Sequence, residues 1–221
     1  MQKRIIKIQA VVFGAPNPQT NQTAMVDLIQ SFIPEGYMPQ TISVQDPISG
    51  TINQKLSLIK NQEMQIQFSH ERVDFLALMP TASTEDILNS IQKNIGLIYK
   101  NNVAFNRIAL VLDYILDEFS DEEIEKFRME LLPKSKVNSI EWVSRWVSKQ
   151  EIDAEEYNIC FEAMTANGLM MINNGITHHL NGIKIMHDIS TTPSNNTTRF
   201  NKDNIKDKLM KINNIIIQQD Q

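Results

Sequence analysis

The chain has 221 residues, of which 42% are apolar and 21% charged, with a formal net charge of −5. That composition is too apolar for a disordered chain and is long enough for one large domain or two small ones. The acidic balance, with no Lys/Arg-rich run, argues against broad binding to nucleic acid or anionic lipid, and the single cysteine excludes an intrachain disulfide or a Cys-rich zinc site.

In chain order, Arg4–Phe13 reads as a first strand, apolar at Ile5–Ile6 and again at Ala10–Phe13. Lys3 and Arg4 ahead of it have the form of a secretory leader. Lys7 and Gln9 interrupt the apolar stretch, however, and its continuous part is shorter than a signal core. No segment approaches the roughly 20 apolar residues of a membrane helix, so the expectation is a cytoplasmic protein without membrane contact. Gly14-Ala15-Pro16-Asn17-Pro18 breaks the strand. A helix then starts near Gln22, with Asn21 as N-cap and Met25, Leu28, Ile29 and Phe32 on one face, and ends at Pro34-Glu35-Gly36.

Alternating segments follow at Tyr37–Gln45, Gln54–Lys60, Met64–Phe68 and Val73–Met79, separated by short polar turns. This period of two predicts an antiparallel meander with one wet face. His70, Glu71, Arg72 and Asp74 crowd one of its turns. A histidine beside carboxylates suits general acid–base work, which makes His70 and Asp74 candidate catalytic residues, although a turn is also where solvated charges belong.

Ser83 or Thr84 caps the clearest predicted helix, whose apolar positions are Ile87, Leu88, Ile91, Ile95 and Ile98. The stretch Phe105–Phe119 comes next. Its run Ile108–Leu112 is that of a strand covered on both faces, and Asp113 at the end of the run is a further candidate carboxylate. Ser120 and Glu123 form a capping box for a short helix carrying Ile124, Phe127 and Leu131, so helix electrostatics accounts for most of the acidic run there.

Ser139–Lys149 reads as a strand entering a hairpin with Tyr157–Thr165, with Trp142 and Trp146 in core or half-buried positions and Cys160 as a buried thiol. Asn167-Gly168, Asn173-Asn174-Gly175 and Asn181-Gly182 are turn signals that predict a second meander. That meander holds His178, His179, His187 and Asp188. His178, His187 and Asp188 are the metal-ligand candidates, but neighbours in a strand point to opposite faces, so at most one of each adjacent pair reaches a common ion. Thr191–Arg199 is a polar loop, and a last helix with Ile205, Leu209, Ile212, Ile215 and Ile216 is expected to dock on the second meander or to pair with a partner chain.

The segment Phe13–Thr23, small and hydroxyl-rich and opening a helix, resembles the phosphate loop of flavodoxin-like FMN reductases over roughly 20 residues. The resemblance implies that Thr20, Asn21 and Thr23 hold an FMN phosphate. A doubly wound fold should continue as alternating parallel strands and helices, which this chain does not do.

The fold class expected is α+β: largely antiparallel sheet with about four helices, compatible with two similar lobes, 1–118 and 119–221, sharing one continuous sheet. With no strong nucleotide, nucleophile or complete metal motif, the leading functional expectation is a non-enzymatic interaction or regulatory protein. Such a protein suits a subunit of a bacterial complex, with a protein partner or a homo-oligomer and no cofactor. An FMN-binding oxidoreductase and a metal-dependent hydrolase are the alternatives.

Overall fold

The computed structural model describes residues 2–14, 16, 21–45, 50–61, 63–99, 103–132, 141–171 and 177–219, without the side chains of residues 2, 44, 45, 53, 169–171, 177 and 178. The elements in order are β1 (Gln2–Phe13), α1 (Gln22–Phe32), a 3-10 turn (Ile33–Glu35), β2 (Met38–Gln45), β3 (Ile52–Lys60), β4 (Met64–Ser69) and β5 (Arg72–Leu78). They continue as α2 (Thr84–Ile98), β6 (Ala104–Phe105), β7 (Arg107–Asp117), α3 (Asp121–Leu131), β8 (Val143–Ile152), β9 (Glu155–Met171), β10 (Thr177–Thr191), β11 (Phe200–Asn201) and α4 (Ile205–Gln219). The fold is α+β, as expected. Among the described residues, four helices accompany a nine-stranded antiparallel sheet in the order β2-β3-β4-β5-β1-β7-β10-β9-β8, and β6 pairs with β11 in a small second sheet. The chain divides into two compact units, residues 8–110 with 190–221 and residues 1–7 with 111–189.

The first unit, residues 8–110 with 190–221, contains the expected meander β2–β5. Its registers set Leu58 opposite Ile66 and Ile66 opposite Phe75, and all three are fully buried. This column of apolar side chains across adjacent strands is what a period of two produces when one face is dry. Asn61 takes a positive φ in the β3–β4 turn, a conformation asparagine tolerates better than most residues. α1 is capped by Asn21 and α2 by Ser83, whose side chain accepts from the Asp86 amide. α2 buries Ile87, Leu88, Ile91 and Ile95. Asn94 on the same helix donates to the Tyr37 hydroxyl at 2.7 Å.

α4 packs on α2, with Ile205, Leu209, Ile212 and Ile216 fully buried. This corrects the expectation that the last helix docks on the second meander. The reason is the small sheet: Phe200 pairs with Phe105, and the Arg199 amide bonds the Phe105 carbonyl, which returns the chain to its first half before α4 begins. Gln92 then donates to the Lys202 carbonyl.

In the second unit, residues 1–7 with 111–189, α3 carries the expected capping box, Ser120 with Glu123. β8 and β9 form the expected hairpin, in which Trp146 stands opposite Phe161 and Val147 opposite Cys160. Cys160 is buried. Two turn expectations are corrected here. β9 runs unbroken through Asn167-Gly168, and β10 runs unbroken through Asn181-Gly182. Gly168 keeps a positive φ of 142° inside the strand. Gly182 takes no left-handed conformation, and serves a close backbone approach described below. Asn173-Asn174-Gly175 lies outside the described residues.

The β8–β9 turn itself is Asp153-Ala154, with φ of 52° and 60°. Both central residues of a two-residue hairpin loop are left-handed in the turn type that matches strand twist, and alanine adopts that conformation at a cost of about 1 kcal/mol or more. Ala154→Gly is therefore expected to stabilise the chain by about 1 kcal/mol in denaturant unfolding. A variant no more stable than the parent would show that the turn is unstrained.

Candidate functional site

Within each unit, no single cluster of described residues gathers the candidates singled out from the sequence. In the first unit, His70 is exposed in the β4–β5 turn. Asp74, four residues on, is buried in β5 and engaged elsewhere. It accepts from Arg72 Nε at 2.9 Å, from Arg72 Nη2 at 2.5 Å and from Gln9 Nε2 at 2.7 Å. The bidentate guanidinium fork satisfies the carboxylate, and the histidine is not part of that set.

Asn21 Oδ1 accepts from the amides of Thr23 and Ala24 at 2.9 and 3.3 Å. These helix N-terminal donors are the groups that a phosphate loop offers its ligand. Thr23 is exposed, and Thr20 lies outside the described residues. The parallel doubly wound sheet that the resemblance implies is replaced by an antiparallel one.

A cavity of about 240 Å³ opens in the first unit where β1 ends, lined by Phe13, Gly14, Arg72, Asn106, Arg107 and Asn195 among others. Arg107 and Arg72 hold their guanidinium carbons 3.9 and 5.5 Å from the Phe13 ring centre. Gly14 makes room for the Asn106 amide, which a Cβ there would meet at 2.6 Å. The cations are not in surplus: Asp74 matches Arg72, and Glu71 stands on the rim.

In the second unit, Asp113 is 5% exposed at the centre of three neighbouring strands. Its Oδ2 lies 3.3 Å from Lys7 Nζ on β1 and 3.5 Å from Lys184 Nζ on β10. Its Oδ1 is buried with no hydrogen-bond partner among the described residues. Two partly exposed ammonium groups thus neutralise one buried carboxylate, an arrangement that ties strands together. Asp117 is also buried, and accepts from the Asn181 amide at 3.3 Å.

His187 is fully buried in an aromatic row on the opposite face of β10 from Lys184. Its ring stacks 6.0 Å from Tyr114 and meets Phe161 edge-on at 5.3 Å, Phe161 in turn stacks 5.1 Å from Trp146, and Lys3 Nζ sits 3.9 Å above Tyr114. Asp188 is the next residue on an extended strand and projects to the other face, as the sequence pattern requires. The His178 side chain is outside the described set, and among the described residues no group of three or more His, Cys, Asp or Glu is placed to hold a metal ion.

The feature that sequence reasoning missed is the edge strand β8. It closes one end of the sheet order, and nearly every residue along it is exposed. Trp142, just before it, is buried and lines a cavity of about 520 Å³ with Glu141, Val143, Met164, Thr165 and Asn167; its Nε1 donor is buried with no acceptor among the described residues. Trp146, four residues on, is 42% exposed, and Val143 and Val147 are 55% and 59% exposed. The two tryptophans, alike in sequence, therefore have opposite environments. Arg145, on the same face as Val147, lies 3.7 Å from Glu162. Its guanidinium is held more firmly protonated first by its bond to the Cys160 sulfur and then by Glu162 and Asp188. Among the described residues no helix is long and apolar enough to cross a membrane. Compared with protein-family models, with curated proteins and with solved structures, the chain matches none.

Proposed function

We propose that this chain is a non-enzymatic interaction protein that engages a polypeptide partner through β8, by addition of a strand to the free end of its sheet. The observation that carries this reading is the exposure of Val143, Trp146 and Val147 on a strand that ends the sheet order. An edge strand offers unpaired backbone groups to an incoming strand, and apolar side chains on it add burial when that strand arrives. The opposite edge is less suited. β2 contains Pro39, which lacks an N–H and blunts strand pairing.

The test is a photo-cross-linking amino acid placed at Val147 in the full chain in its native host, with Lys126 on exposed α3 as the control position. A discrete adduct from position 147, absent from position 126, is the expected result. No adduct from 147, or the same smear from both positions, would remove the reading.

A further inference from the structure

We infer that the strand that adds to β8 is β8 of a second copy of this chain, antiparallel and centred on Ser148, so that Arg145 of each copy faces Glu151 of the other. This rests on the reading of β8 as the interaction edge, and names the partner that the edge takes.

Register and charge select the pairing. A two-fold axis normal to a sheet pairs residues of the same face, so a symmetric antiparallel pairing of β8 must centre on a residue. Centred on Val147, the pairing sets Arg145 against Lys149 of the copy, twice. Centred on Lys149, it sets Lys149 against itself. Centred on Ser148, it overlaps nearly the whole strand and produces two Arg–Glu pairs with no like-charge pair opposite. On one face Val147 lies beside the Lys149 stem, and on the other Trp146 lies beside Gln150. Like charges directly across strands are unfavourable and opposite charges favourable. Centred on Gln150, the pairing also sets Lys149 against Glu151 but overlaps only residues 148–152 of the strand, so charge and overlap together select the Ser148 register.

The single copy leaves this charge pattern unresolved. Glu151 stands opposite Glu156 in the hairpin, and the neighbouring Lys149 is bonded to Glu156 at 3.2 Å. Arg145 bonds the Cys160 sulfur and lies 3.7 Å from Glu162, with 61% of its side chain still exposed for a further partner. The second copy supplies Glu151 with the opposite charge that its own hairpin does not place across from it.

Analytical ultracentrifugation of the full chain tests this. The wild-type mass is expected to rise from 25.4 kDa toward twice that over a roughly hundred-fold range of concentration. Arg145→Glu and Glu151→Arg each create two like-charge pairs and should weaken association at least about tenfold. In an equimolar mixture of the two variants, one acidic and one basic side chain again face each other at both contacts, so the mixture should associate like the wild type. Thermal unfolding checks that each variant is folded. Glu151→Arg relieves the Glu151–Glu156 repulsion, so it remains informative if Arg145→Glu is destabilised by Glu162.

A wild type that stays at 25.4 kDa overturns the inference. So do single variants that associate undiminished, or a mixture that stays monomeric beside a dimeric wild type. A monomeric wild type whose position 147 still cross-links to a different polypeptide removes self-pairing alone and leaves the interaction reading standing.

Discussion

Gly182→Ala is expected to destabilise the protein by about 3 kcal/mol, seen as a fall of roughly 10 °C in the thermal midpoint. A Cβ on Gly182 would lie 2.0 Å from the Leu116 carbonyl oxygen, 3.0 Å from the Leu116 carbonyl carbon and 3.1 Å from the Asp117 Cα. All three obstacles are backbone, so no rotamer change relieves them. The surroundings are also tied down. Asn181 donates through its side-chain amide to the Phe119 carbonyl and to Asp121, and its own carbonyl accepts from the Phe119 amide. The strand must therefore move away from β7, and those bonds must stretch with it.

Gly96→Ala is the paired control. Gly96 sits inside α2, where a Cβ would meet nothing within 4 Å, so the same substitution there should stabilise by about 0.5–1 kcal/mol. Opposite signs at the two glycines are the expected result. A neutral Gly182→Ala would show that β7 and β10 are not in close backbone contact at this point.

His187→Ala is the second large effect, expected at about 2–4 kcal/mol in denaturant unfolding. The imidazole is fully buried between the Tyr114 and Phe161 rings, so truncation leaves a cavity in an aromatic row. His187→Phe keeps a ring in the row and should recover more than half of that loss. A His187→Ala chain as stable as the parent would show that the imidazole is not a packing residue.

In Phe13–Thr23, a helix cap and a flavin phosphate loop look alike for a physical reason. Both use the same small, hydroxyl- and amide-bearing residues, because both satisfy the free N–H groups of a first helical turn. In the structure, Asn21 Oδ1 accepts from the Thr23 and Ala24 amides, which is the cap's use of those donors.

Most of the secondary structure and the α+β class were legible in the sequence. Period-two alternation in β2–β5 and the 3.6-residue period in α2 both report which side of an element is dry, and that is a local property. Caps behave likewise: Asn21, Ser83 and Ser120 each bond amides two or three residues away. The dipeptide Asn181-Gly182 failed as a signal because glycine permits two things, a left-handed turn and a missing side chain, and only the neighbouring strand decides between them.

The remaining features depend on residues far apart in the chain, and only the folded arrangement reveals them. Asp113 meets Lys7 and Lys184 across three strands, and no spacing in the sequence links them. Trp142 and Trp146 read alike as hairpin residues, yet one is buried and the other stands on an open strand. The exposure of Trp146 follows from the sheet order ending at β8 among the described residues, and the order of strands in a sheet is set by long-range packing that single-strand periodicity does not encode.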